Sequence, residues 1–302
     1  MKTKQWMLVS ALAGIFGVTV AHAAPTIYDL TSGSVGPPLV QDQATVNSAI
    51  FLAPSGIYDA TGTGVFNPFV RIQDNVSEQG YNTSDRSVQF DENTDPNFTR
   101  DVLFSDVPII TLNGTKYLEF VLDINESASV GNRYISLDRL QLFVGANQQT
   151  NTAAGDYDGV STLGTLTALY DLDSGGDNAL FLDYGVVGSG SGRADLVALI
   201  PLSVIPTSLQ NSSSSLYLYS QFGLTNDPTP FPNGRDGTSD AGFEEWAYVR
   251  GSVTCPPGTT DPNCGNGGGG GGGGSAPEPG SLALLGIGLA GLAARLRGNR
   301  RT

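Results

Sequence analysis

From Tyr134 to Val144 apolar and polar residues alternate, with Ile135 and Leu137 in phase. After a change of parity at Asp138-Arg139, Leu140, Leu142 and Val144 continue the pattern. A period of two is the signature of a strand with one buried face, and the parity change predicts a β-bulge. Tyr117 to Ile124 repeats the pattern, with Leu118, Phe120, Leu122 and Ile124 sharing a face. Further strands are predicted over Thr45–Ala53, Thr165–Leu172, Ala179–Tyr184, Asp195–Leu202, Leu216–Leu224 and Phe243–Val253. Val65–Ile72 is another, which Pro68 restricts to a sheet edge or a bulge, because proline gives no N–H to a ladder. Clusters such as Asp173-Ser174-Gly175-Gly176-Asp177-Asn178 supply the turns. A short helical turn is expected within Ser203–Gln210, and helical periodicity is otherwise nearly absent between the termini. The expected class is all-β, an antiparallel β-sandwich or jelly-roll-like domain.

The two ends read differently. Lys2 and Lys4 precede an apolar stretch from Trp6 to Val20 and then Ala21-His22-Ala23. A charged start, an apolar core and a small-x-small site make a secretory signal peptide, with cleavage expected after Ala23. The organisation is therefore a signal peptide over 1–23, an ectodomain over 24–254, a cysteine loop and glycine-rich linker over 255–276, and a C-terminal signal over 277–302. His22 is the single histidine and leaves with the signal peptide. Serine–histidine and cysteine–histidine catalysis, and histidine-ligated metal sites, are thereby excluded from the exported chain. Signal peptidase and the Sec translocon are the partners this end implies.

Charge narrows the partners further. The formal net charge is -14, and loss of Lys2, Lys4 and the four arginines of the tail takes it to -20. Such a chain repels nucleic acid and anionic membrane. Cys255 and Cys264 bracket a turn-rich segment outside the cytoplasm, where disulfides persist. A disulfide is expected, worth about 2.5–3 kcal/mol in the chain-entropy picture. A pair of metal-binding thiolates is the alternative, and two ligands without a histidine make a poor site. Gly267 to Gly274 form an unbroken glycine run that acts as a flexible spacer.

Candidate chemistry rests on carboxylates and aromatics. Asp171, Asp173 and Asp177, bent around Gly175 and Gly176, offer hard oxygen ligands suited to Ca²⁺. Leu182 stands where a calcium-binding loop of the helix-flanked type has glutamate, and a solvated hairpin turn explains the same residues. Asp91, Glu92 and Asp95 form a second acidic turn, and Asp156 and Asp158 a third. Glu244 and Glu245 invite a glycosidase reading, but neighbours on a strand point to opposite faces and do not flank one bond. Tyr217 and Tyr219 with Trp246 and Tyr248 suit either a sugar-stacking platform or core packing.

The tail carries the most specific pattern. Pro277-Glu278-Pro279 is followed by an apolar run from Ser281 to Ala294 and by Arg295, Arg297, Arg300 and Arg301. At about 1.5 Å per residue the run covers roughly 22 Å, short of the roughly 30 Å hydrocarbon core, so it makes a marginal single membrane helix. The arginines hold the C-terminus in the cytoplasm. The arrangement resembles the PEP-CTERM sorting domain of exosortase substrates in Gram-negative bacteria. That resemblance implies recognition at Pro277, Glu278 and Pro279 by exosortase, cleavage nearby, and passage from the inner membrane to the cell surface or beyond. It also implies a structural role in an extracellular, biofilm-type matrix, with exopolysaccharide as a further partner. No active site and no cofactor are expected. The alternatives are a carbohydrate-binding or Ca²⁺-dependent adhesive module and a carboxylate-only glycoside hydrolase.

Overall fold

A computed structural model describes residues 25–31, 42–53, 66–127, 129, 132–146, 157–186, 194–224, 236–240 and 242–249. All of them belong to one unit of the chain, Met1–Gly265. The first strands are β1 (Thr26–Asp29), β2 (Asp42–Val46), β3 (Ala49–Ala53), β4 (Phe66–Ile72), β5 (Asn75–Val76) and β6 (Glu78–Tyr81). β7 (Val102–Leu103), β8 (Ile109–Leu112), β9 (Thr115–Asp123) and the long β10 (Tyr134–Gly145) follow. β11 (Thr162–Leu163), β12 (Leu166–Thr167), β13 (Tyr170–Asp171) and β14 (Asn178–Asp183) lead to β15 (Leu196–Pro201) and β16 (Ser215–Phe222). β17 (Ser239–Asp240) and β18 (Glu244–Val249) complete the set. The described residues contain no α-helix, only 3₁₀ turns at Phe104–Asp106, Leu202–Val204 and Thr207–Leu209. The described residues are mostly β-sheet, as their alternating pattern dictates.

Two large sheets carry the fold. One runs β1-β14-β10-β16-β6, with β13 paired to β10 and β7 to β16. The other runs β2-β3-β15-β9-β18-β4, with β8 paired to β9. Alternation along β9 sends Leu118, Phe120 and Leu122 into one apolar cluster, where they meet Leu140, Leu142, Leu180, Leu216, Leu218 and Phe222 of the first sheet. The opposite face of β9 adds Tyr117 and Val121 to a separate cluster with Val197, Leu199 and Ala247. Two hydrogen bonds join the sheets within the main core: Trp246 Nε1 donates to Ser220 Oγ at 3.0 Å, and Tyr170 OH to the Val46 carbonyl at 3.1 Å.

Both expected irregularities are present. The β10–β16 register shifts between Leu137 and Arg139, where the parity changes. β4 lies at the edge of its sheet, and its register against β18 passes from Val70 to Pro68 across Trp246/Ala247, which leaves Phe69 as the extra residue. The missing proline N–H is thus placed where a ladder is already broken.

Three expectations require correction. Thr45–Ala53 is not one strand but the β2–β3 hairpin, turned by Asn47 and Ser48 at φ 48° and 71°. Two left-handed residues make the turn that matches strand twist, and serine does not advertise it as glycine does. Thr165–Leu172 divides into β12 and β13, which pair with different strands. The sheets are not purely antiparallel, because β1 runs parallel to β14, with Thr26 opposite Asn178. The signal peptide, the Cys255–Cys264 loop, the glycine run and the expected C-terminal membrane helix lie outside the described residues. Among the described residues, no helix is long and apolar enough to cross a membrane.

One lateral seam is closed by an unusual device. The segment from Phe90 to Asn93 pairs through its backbone with β4: Gln73 N–H donates to the Asp91 carbonyl, and Asn93 N–H to the Arg71 carbonyl. Its side chains serve β6. Asp91 Oδ2 accepts from Gln79 N–H at 2.9 Å, and Glu92 Oε1 from Tyr81 N–H at 3.0 Å. Two carboxylates, with one backbone bond from Asp91 N–H to the Gln79 carbonyl at 3.2 Å, thus stand in for a strand on the edge of β6. Glu92 lies so close over the strand that a Cβ on Gly80 would meet its Cγ at 2.6 Å.

Candidate functional site

The acidic turn at Asp171–Asp177 is built from its own carboxylates. Asp171 Oδ1 accepts from Asp173 N–H at 2.9 Å, and Asp173 Oδ1 from Asn178 N–H at 3.0 Å. Gln141 Nε2 donates to Asp171 Oδ2 at 2.7 Å, and Arg139 Nε lies 3.5 Å from Asp173 Oδ2. These are the backbone-capping bonds for which aspartate is favoured in turns. Among the described residues, no group of three or more His, Cys, Asp or Glu is placed to hold a metal ion. Asp171, Asp173 and Asp177 are therefore not brought together as a ligand set. Burial first, and then the neighbouring Asp171 and Asp177 charges, push the Asp173 carboxyl up to about 6 against the relief from Asn178 and Arg139. Asp158 is likewise a turn former: its Oδ1 accepts from the N–H groups of Val160, Ser161 and Thr162. Those bonds, Thr162 foremost, hold its carboxyl well below the usual carboxylate range.

Glu244 and Glu245 part company as the strand geometry requires. Glu245 meets Arg71 at 2.8 Å. The Arg71 guanidinium is clamped between the rings of Phe98 and Phe243, 3.5 and 4.0 Å from their centroids. Glu244 is fully buried, on the same face as Trp246 and Tyr248. Neither of its carboxyl oxygens finds a hydrogen-bond partner of good geometry. Burial pushes it up to about 8, which the Asn125 N–H relieves only in part. It is a neutral acid at pH 7, and this pair cannot flank one glycosidic bond.

The aromatic residues are core. Tyr217 and Tyr219 pack with Tyr81, Phe143 and Tyr157 on one side of the first sheet, and Trp246 and Tyr248 belong to the main core. All four are at most 2% exposed, so they present no stacking surface. Tyr157 stacks on Tyr219 at 4.0 Å, sealing that layer.

The carboxylates that sequence patterning misses are the buried ones. Glu126 accepts from Asp240 N–H through both oxygens, at 3.2 and 3.1 Å. Burial outweighs those bonds and lifts it to about 7. Glu78 accepts from Asp74 N–H and from Ser239 Oγ. Gly242 packs so tightly here that a Cβ would meet the Asn125 carbonyl at 2.0 Å. Glu126 and Gly242 fasten the segment before β18 to the chain just after β9, and Glu78 fastens it to β6. No run of charge marks them: Glu126 works alone against the Asp240 N–H far away in sequence, and Glu78 against the nearby Asp74 N–H and the distant Ser239 hydroxyl.

The comparisons with known proteins bear on the tail. Residues 275–301 match the family model of the PEP-CTERM protein-sorting motif, which takes in Pro277, Glu278, Pro279 and all four arginines. No curated protein and no solved structure matches the chain. The motif marks an exported protein, processed by exosortase and anchored in the membrane before release.

Proposed function

We propose that this exported exosortase substrate is a non-enzymatic structural protein of the cell surface or extracellular matrix, its two sheets packed as a sandwich. The observation that carries the reading is the sorting motif at 275–301 joined to an acidic all-β domain. Pro277, Glu278 and Pro279 give an extended segment for the processing enzyme, since proline disfavours helix both at and before its position. The catalytic residues of that step belong to exosortase. Arg295, Arg297, Arg300 and Arg301 stop transfer on the cytoplasmic side. The Cys255–Cys264 disulfide closes a loop between the domain and the glycine spacer. The sandwich reading is supported by one apolar cluster that draws on both sheets and by the Trp246–Ser220 bond between them. The non-enzymatic reading is supported by the loss of His22 with the signal peptide and by the separation of Glu244 from Glu245.

Mass spectrometry of the mature protein from its producing cells tests the proposal. The expected mass lacks residues 1–23 and the apolar tail. A surface-exposed form that retains Ser281–Ala294 would sink the sorting step.

A further inference from the structure

β1 is held by one strand only. It is four residues long, lies at the edge of the first sheet and, among the described residues, pairs with β14 alone. The ladder is parallel, the slightly weaker arrangement per residue. Thr26 N–H donates to the Asp177 carbonyl at 2.8 Å, and Leu30 N–H to the Phe181 carbonyl at 2.9 Å. Asp29 Oδ1 accepts from both the N–H and the hydroxyl of Thr31, which ends the strand.

The side chains make the docking specific. Leu30 is buried in the main core and Tyr28 packs against it. Ile27 and Asp29 alternate to the outer face, opposite Ala179 and Phe181. The edge of β14 is thus a slot whose occupant the structure shows: a strand reading Thr26-Ile27-Tyr28-Asp29-Leu30.

Nothing local ties that occupant to its own slot. The next strand, β2, lies at the edge of the other sheet. Ten residues, 32–41, separate Thr31 from Asp42, and they include Gly36-Pro37-Pro38. Proline fixes its own φ and drives the residue before it to extended conformations, so this sequence disfavours a tight return. With the expected cleavage after Ala23, Thr26 is the third residue of the exported chain, and β1 leaves its slot without unthreading any other element.

We infer that β1 exchanges between copies: the strand of one molecule docks in parallel on β14 of a second, and the protein self-associates through it. Exchange loses no interface, because each bond released in one molecule is remade in another. A short flexible tether gives a strand an effective concentration on the order of a millimolar at its own slot. Where molecules are packed at that density, the neighbour's slot competes. The partner is therefore a second copy of this chain, which goes beyond a structural role at the surface. Exchange rests on removal of the signal peptide, and the mature mass reads that step separately from association.

Two variants of the exported protein test the exchange, Ile27→Cys and Ala179→Cys, at positions that are register partners on the outer face. Neither variant can link β1 to β14 within one molecule. The two are mixed at about 1 mM, the density at which a neighbour's slot competes. The mixture is warmed to just below the melting temperature, cooled and oxidised. A covalent dimer containing the 27–179 linked peptide is expected by mass spectrometry, and reduction is expected to abolish it. Ile27→Cys mixed with Gln43→Cys, an exposed position on β2, is expected to give no corresponding link. The double variant Ile27→Cys/Ala179→Cys, oxidised when dilute, closes its own slot and is expected to stay monomeric by light scattering where the parent associates. Absence of the 27–179 link in the mixture, or equal association of the closed double variant and the parent, overturns the inference. A parent that stays monomeric after the same treatment overturns it without any variant.

Discussion

Glu244 shows how a single side chain sets the pH response of a fold. Its carboxyl titrates near 8 when folded and near 4.5 in an open chain. The folded state therefore holds the proton more tightly, so the contribution is full below pH 4.5 and is lost as pH rises through 8. At about 1.4 kcal/mol per unit, the loss amounts to several kcal/mol. Glu126, near 7, and Asp138, near 6, act in the same direction. Thermal melts are expected to show higher stability at pH 5 than at pH 8.5, and Glu244→Gln to flatten that slope. A variant whose melting temperature falls as steeply as the parent's would show that Glu244 is not the cause. Sequence reading found the right face for Glu244, since parity places it with Trp246, but not its isolation. Whether a buried acid has a partner depends on residues brought in from elsewhere, here Asn125, and no spacing rule carries that information.

The seam at Phe90–Asn93 belongs to the scale of elements. Gly80 exists as glycine because Glu92 lies across β6. Gly80→Ala is expected to cost about 1–3 kcal/mol, the range for overpacking. Glu92→Ala is expected to cost a similar amount, about 1–3 kcal/mol, by leaving the Tyr81 and Phe90 N–H groups unpaired. Urea titration separates stability from altered cooperativity: the midpoint is expected to fall while the slope holds. The elements most legible in the sequence were those with long alternation, β9 and β10, and the bulges that interrupt alternation. β6 was missed because Glu78-Gln79-Gly80-Tyr81 carries no apolar period, its edge being met by two carboxylates and a single backbone bond. The β2–β3 turn was missed because Asn47-Ser48 lacks glycine. The 3₁₀ turns at Leu202–Val204 and Thr207–Leu209 were legible in part, since they fall where a short helical turn is expected within Ser203–Gln210.

For the molecule as a whole, the shared core predicts one cooperative transition. Trp246 is fully buried in the apolar cluster that both sheets share, and the second tryptophan, Trp6, lies in the expected signal peptide. Its fluorescence is thus a single probe of both sheets. Unfolding followed by Trp246 emission and by far-ultraviolet circular dichroism is expected to give coincident curves. Two separated transitions would mean that the sheets unfold independently. Ser220→Ala, which orphans the buried indole N–H, is expected to lower stability by about 1–3 kcal/mol without splitting the transition.

The parallel pairing of β1 with β14 also sets a timetable for export. Thr26, near the leading end of the exported chain, has its ladder partner at Asn178. More than half of the polypeptide must cross the membrane before its first strand has anywhere to dock. Until then that strand waits in the open, and the emerging chain must be kept from its neighbours by something other than its own fold. An abundance of negative charge and few long apolar runs in its first hundred residues are what such a wait demands.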